Sequence, residues 1–222
     1  MSRPCIIVFA RAPEKGLVKT RLAKKLPPDT VLSLYKCFLA DVLDAIDTGL
    51  YHIRICFFPA YASENMIKGF GSQYDYIPQE GCDIGQRMLS AFSETFSDGF
   101  NPVLLIGSDI PALTSSIVHQ ACDALLRTDA VIGPSHDGGY YLIGFNSDTF
   151  QPDVFNNMPW SSPQVFSLTL SRLTIRCRRV HILPVCQDID EPDDLISFVR
   201  SASPSMIRSS HTLRYLKQIL NR

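Results

Sequence analysis

Four cations follow the first apolar run of the chain: Arg11, Lys15, Lys19 and Arg21 stand within eleven residues of FARAPEKGLVKTRL. Guanidinium groups fork onto phosphate oxygens and lysines meet them as point charges, so this density suits a di- or triphosphate. Pro13 and Gly16 shape the turn that carries them. The Lys19-Thr20 pair lacks the GxxxxGK spacing of a P-loop, so no Walker-type cradle is expected. An exposed basic loop would hold the same residues, and the segment alone leaves both readings open.

Three acidic segments accompany the basic one. In LLIGSDIPALT, Asp109 ends a buried strand, where a carboxylate is awkward without a use. Mg²⁺ and Mn²⁺ supply one, because these hard ions take carboxylate oxygen and keep positions open for phosphate. Asp109 is therefore the first choice for a metal ligand. The other reading, capping of the turn before proline, falls equally to Ser108. In GPSHDGGYYLIGF, Asp137-Gly138-Gly139 reads partly as a hairpin turn. A second glycine beside two tyrosines also lets a ligand approach the backbone against an aromatic wall. Asp137 and His136 are the acid–base or acceptor-orienting candidates there, with Asp137 preferred because a lone loop histidine is more often just solvated. In QDIDEPDDL, Asp188 and Asp190 lie two apart, on one side of an extended backbone, so they can share a metal. Glu191–Asp194 read as a charged helix start favoured by the helix dipole. Trp160, the only tryptophan, suits core packing and a substrate-stacking lid equally.

The elements that must position these groups alternate. CIIVFA is a continuous apolar run, as expected of a strand buried on both faces; HIRICFF, VLLIG, AVIGP and YYLIGF are further strands, and YDYIP and Val180–Val185 weaker ones. Between them lie helical patterns. One is capped by Asp29 or Thr30 and carries the stripe Val31 to Ile46. Another has an apolar face at Ile84, Met88, Leu89, Phe92 and Phe96. A third is capped by Thr114, and further helices fall near Pro163–Leu173 and Asp193–Arg200. Such alternation predicts a three-layer α/β/α domain with a mainly parallel, Rossmann-like sheet, and ligands outside the carboxyl ends of its strands. Ser201–Ser210 reads as a flexible connector to a C-terminal helix over about 210–221.

Bulk properties exclude several classes. Net charge is −1, so no polyanion-binding field and no nucleic-acid partner are expected. No stretch approaches the roughly 20 apolar residues of a membrane span, and no signal cleavage site follows the first run, so a cytoplasmic location is expected. Seven scattered cysteines without CxxC pairs argue against a disulfide framework or a zinc site. The 222 residues fit one domain, with the last helix appended to it or docked on a second subunit of a homo-oligomer.

Taken in order, ARAPEKGLVKTRL, QEGCDIGQRM, IGSDIPALT, DGGYYLIGF, MPWSSPQV and DIDEPDDL resemble the DUF2064 group of GT-A-like transferases, a distant relative of molybdopterin and phospholactate nucleotidyltransferases. The resemblance runs from about Ile6 to Leu195. It implies the nucleotide-diphospho-sugar transferase fold, with phosphates at the Arg11–Arg21 loop and Asp109 at the GT-A metal position. Asp188 and Asp190 would be the late acidic pair that also binds metal. Three functions follow as expectations. The first is metal-dependent glycosyl transfer from a nucleotide-diphosphate sugar to a small acceptor, with Arg11, Lys15, Gly16, Lys19 and Arg21 on the donor. In it Asp109, Asp188 and Asp190 hold Mg²⁺ or Mn²⁺, and Asp137 with Gly138 and Gly139 takes the acceptor. The second is nucleotidyl transfer from an NTP to a phosphorylated or carboxylated molecule, releasing pyrophosphate. The third is nucleotide binding without catalysis.

Overall fold

The computed structural model describes residues 3–176 and 179–220; Cys177 and the last residue of the expected C-terminal helix fall outside them. Seven strands form one sheet: β1 (Cys5–Arg11), β2 (His52–Phe58), β3 (Asp75–Pro78), β4 (Val103–Gly107), β5 (Ala130–Pro134), β6 (Tyr140–Phe145) and β7 (Val180–Ile182). Their order is β3-β2-β1-β4-β6-β5-β7. All pairings are parallel except those of β6, which returns antiparallel between β4 and β5. The Asp-Gly-Gly hairpin is what reverses it. The expected mainly parallel α/β sheet is therefore observed.

Alternation along β1 divides the core. Ile6, Val8 and Ala10 face α1 (Pro28–Ile46), α2 (Ser63–Phe70) and α4 (Ser115–Leu125), while Cys5, Ile7 and Phe9 face α3 (Ile84–Ser97) and α5 (Val165–Arg176). Both sheet faces are thus covered, which is why β1, β4, β5 and β6 read as apolar runs, whereas β2 buries Arg54 on ion pairs with Asp75 and Asp98. A third cluster joins Leu34 and Phe38 of α1 to Leu195 and Phe198 of α6 (Pro192–Ser201) and to Leu213 and Leu216 of α8 (His211–Leu220).

Two local expectations are corrected. Helix α1 starts at Pro28 with Pro27 at its cap, not with Asp29 or Thr30. Proline at the first helical position loses no hydrogen bond, because that amide is unpaired in any helix. Ser201–Ser210 is not an open connector: it contains α7 (Pro204–Ser209), capped by Ser203, whose hydroxyl accepts from the Met206 amide. The last helix is moored to α1. Asp41 of α1 is buried and accepts from the Ser210 hydroxyl (2.8 Å), the His211 amide and the Thr212 amide (3.1 Å). It thereby satisfies amides that the first turn of α8 leaves free. Thr114 caps α4 as expected, accepting from the Ile117 amide. Glu191 and Asp194 form a capping box at α6, so the acids behind Asp190 serve the helix start. Among the described residues no helix is long and apolar enough to cross a membrane.

Candidate active site at the β1–β4 switch point

The strand order reverses between β1 and β4, and such a reversal opens a crevice at the carboxyl ends of the strands. A cleft of about 560 Å³ lies there, lined by Arg11, Lys19, Arg21, Arg87, Asp109 and Asp190, with Phe9, Phe58, Gln79 and Ile84 among its other walls. Tyr35 fixes its floor. Its buried hydroxyl donates to the Arg11 carbonyl (2.9 Å), accepts from the Arg11 amide (2.8 Å) and lies 3.3 Å from the Ser108 hydroxyl. The ends of β1 and β4 are thereby tied through one side chain of α1. A backbone bond from the Ile189 amide to the Asp109 carbonyl (2.9 Å) brings the late acidic segment alongside.

Lys19 is the centre of the charge arrangement. Its ammonium lies 2.9 Å from Asp109 Oδ2 and 2.6 Å from Asp190 Oδ1, and its side chain is only 5% exposed. Burial opposes its charge, but Asp109 and Asp190 outweigh that and raise its pKa above the ordinary lysine value. Lys19 also adopts φ +46°, a left-handed conformation that this ion-paired placement holds. Ser108 donates to the other Asp109 oxygen (3.2 Å). Arg21 is 3.8 Å from Asp190 Oδ2 and more than half exposed. Asp188 stands in a more repulsive setting: burial, then the Asp137 carboxylate, with Asp190 adding to them, push it up to about 6.

The other expected residues divide. Arg11 lines the cleft, bonded to the Leu17 carbonyl (3.3 Å). Lys15 pairs with Asp29 (2.8 Å) outside the cleft wall, and Gly16 serves the loop through φ +80° with open space where a side chain would point. Gly138 also has positive φ, and a side chain there would meet the backbone of Pro163 at 2.2 Å, so its small size accommodates the chain's own packing. Asp137 and Gly139 line a second cavity of about 220 Å³ that shares Phe9, Ile84 and Gly107 with the cleft. There Asp137 Oδ1 accepts from the Gly139 amide (2.8 Å) and the Ser135 hydroxyl. Trp160 forms part of this cavity's wall and packs against Gly85. His136 is exposed and borders neither space.

Two cleft residues carried no assigned role in the sequence. Arg87 stacks over Phe58 (4.2 Å to the ring centroid), with Arg11 on the same ring at 5.8 Å. Its Nε donates to the Gly81 carbonyl (3.1 Å), which leaves the terminal nitrogens for a ligand. Gln79 spends its amide hydrogens on the Cys56 (2.8 Å) and Ala10 (3.4 Å) carbonyls, so its oxygen is an acceptor at the cleft wall. Both lie in QEGCDIGQRM, whose spacing has no general physical signature.

The family described as an uncharacterized protein conserved in bacteria (DUF2064) matches residues 42–162. The chain belongs to this family. It is similar over its whole length to the crystal structure of a candidate nucleotide-diphospho-sugar transferase from Desulfovibrio desulfuricans G20, with 37% identity, 96% of that chain covered and a TM-score of 0.94. Among curated proteins it is 25% identical over 181 residues to 2-phospho-L-lactate guanylyltransferase of Archaeoglobus profundus, covering 82% of this chain and 77% of that one. A more distant fold neighbour is Rv0371c of Mycobacterium tuberculosis H37Rv in complex with manganese, at 16% identity and a TM-score of 0.56, covering 90% of this chain and all of that one. The chain thus has the nucleotide-diphospho-sugar transferase fold and is a transferase.

Proposed function

We propose that the protein is cytoplasmic and transfers a glycosyl group from a nucleotide-diphosphate sugar to a small hydroxylated acceptor. The observation that carries this reading is the pair of neighbouring cavities that share Phe9, Ile84 and Gly107. The larger holds Arg11, Arg21 and Arg87 around room for a nucleotide, and the smaller presents Asp137 beside a separate binding space. Likeness to the Desulfovibrio protein supports the donor class.

In this reading Arg11, Arg21 and Arg87 take the diphosphate oxygens by charge-assisted hydrogen bonds. Lys19 is spent on holding Asp109 and Asp190 in place. The Gln79 oxygen accepts from a donor edge of the base. Asp137, its Oδ1 fixed by Gly139 and Ser135, offers Oδ2 to the acceptor hydroxyl. The acceptor oxygen bonds to the anomeric carbon, the bond to the phosphate oxygen breaks with its electron pair, and the hydroxyl proton passes to Asp137.

The residues also fit a divalent ion, although among the described residues no three acidic, histidine or cysteine groups form a preassembled site. Asp188 with its repelling neighbours Asp137 and Asp190 is a hard-oxygen donor set whose mutual repulsion a cation relieves. Asp188 and Asp190 are the candidates to hold Mg²⁺ or Mn²⁺, and Asp109 joins them only by releasing Lys19. Such an ion supplies Lewis-acid neutralisation of the leaving phosphates, commonly worth several kcal/mol. The manganese bound by Rv0371c supports the choice of ion.

Nucleotidyl transfer from an NTP is the second reading, favoured by the guanylyltransferase likeness. Product analysis separates the two. Incubation with a panel of nucleotide sugars, NTPs and acceptor alcohols should release a nucleoside diphosphate. Pyrophosphate release instead establishes the second reading, and tight nucleotide binding without turnover establishes a non-catalytic nucleotide-binding protein.

A further inference from the structure

The cavity beside the cleft has a chemistry unlike the cleft itself. Its walls are Phe9, Met88, Leu105, Tyr140, Trp160 and Val165, with Tyr141 and Ile84 completing the apolar side. No lysine, arginine or histidine is among its described lining residues, and its one charge is the Asp137 carboxylate. Its polar groups are largely spent. Tyr140 donates to Met88 Sδ (3.7 Å), Tyr141 donates to the Pro184 carbonyl (3.1 Å), and Ser162 accepts from the Gln164 amide (3.4 Å). What remains is Asp137 Oδ2, with the Ser161 and Ser162 hydroxyl hydrogens elsewhere on the lining.

From this lining we infer that the cavity selects an uncharged acceptor with one hydroxyl on an apolar ring or chain, and rejects phosphorylated or carboxylated acceptors. The occupant is called an acceptor on the transferase reading above. A phosphate or carboxylate placed here would lose its water without a cation to replace it and would face Asp137. A sugar ring would strand most of its hydroxyls, because burying an unpaired hydroxyl costs more than its ring face returns. An aromatic or aliphatic alcohol meets both conditions: its body covers the Trp160 and Tyr140 rings, and its single hydroxyl reaches Asp137. The volume of about 220 Å³ admits one ring but not a nucleotide. The cations that would serve an anionic acceptor all line the neighbouring cleft.

Trp160 is the only tryptophan of the chain, so its fluorescence reports this cavity alone. The test titrates the full-length protein with benzyl alcohol, methyl β-glucoside and 3-phosphoglycerate. Benzyl alcohol should change Trp160 emission saturably, with a Kd on the order of 1 mM, which is modest efficiency for ~8 heavy atoms. The other two should leave it unchanged at the same concentrations. Val165→Phe fills the cavity and should weaken the benzyl alcohol response by about tenfold or more, provided its melting temperature stays near wild type. Should that variant fail to fold, Asp137→Asn serves, since it removes the repulsion and should admit 3-phosphoglycerate more readily than wild type does. A saturable response to 3-phosphoglycerate or to the glucoside, with none to benzyl alcohol, overturns the inference. Thermal shifts with nucleotides, run in parallel, test the transferase reading separately. If no nucleotide stabilises the protein, that reading falls while the Trp160 titration still decides the cavity's chemistry.

Discussion

Lys19 and Asp190, 171 residues apart in the chain, meet at 2.6 Å in the floor of the cleft, and Asp109 closes the triad from the turn after β4 at 2.9 Å. A basic loop and an acidic turn, each plausible as plain surface, are two halves of one electrostatic arrangement. The lysine supplies a permanent positive charge between carboxylates that would otherwise repel.

Replacing Lys19 with methionine should therefore leave Asp109 and Asp190 unbalanced. A destabilisation of about 2 kcal/mol is expected, less than for a fully buried pair because both carboxylates remain partly solvated. Urea unfolding of the variant measures it. The same variant should gain more stability from added Mg²⁺ than wild type does, since a divalent ion can then take the vacated charge. Equal Mg²⁺ responses would remove Lys19 from the metal question.

The Asp188 carboxyl, pushed up to about 6, sets a pH dependence with a definite sign. Its folded pKa exceeds the ordinary value, so the charged form costs stability above pH 6. That cost is relieved as pH falls through 6 toward 4. Asp188→Asn should melt higher than wild type at pH 7.5, by ~2–4 °C for each kcal/mol of relieved repulsion. The difference should shrink at pH 5. Stabilisation of wild type by Mn²⁺ should follow the opposite course, present at pH 7.5 and lost below about 6, as the ligand gains a proton. Melting curves across pH, with and without Mn²⁺, check both.

Arg87→Ala should lower nucleotide affinity about tenfold while leaving the fold intact, since the guanidinium stacks on Phe58 at the cleft wall and carries no buried ion pair. Isothermal titration with a nucleoside diphosphate measures it. Lys15→Ala, outside the cleft wall and tied to Asp29, should change affinity little and serves as the comparison.

Asp41→Ala should cost about 2–3 kcal/mol, the sum of a lost helix cap and a buried Ser210 hydroxyl hydrogen left without its acceptor. Loss of protection at the α8 amides in hydrogen exchange, ahead of the sheet, would locate the effect.

Much of this was readable beforehand, and the remainder has identifiable causes. The strands announce themselves because both faces of the sheet are covered, and Thr114 because a cap must accept from the third residue on. Asp109, Asp190 and Arg21 reach the cleft because they follow strand ends or the acidic turn beside them. Arg87 and Gln79 were not legible as site residues. An arginine on a helix and a glutamine after an edge strand come to line the cleft only when β2, β3 and α3 bring them against Phe58 and the β1 end. Lys15 and Gly16 share the basic loop's composition but not its inward face. Proline at 28 and Ser-Pro at 203–204 were helix starts hidden in stretches that look like loop.

Helix α1 carries Tyr35 and Asp41 less than two turns apart. The first holds the strand ends that shape the cleft, and the second holds the start of the final helix. Helix α8 and the cleft are therefore borne by one strut. Fusion partners or truncations at that end load the same strut, so what seems a remote tail is a handle on the geometry of the cleft.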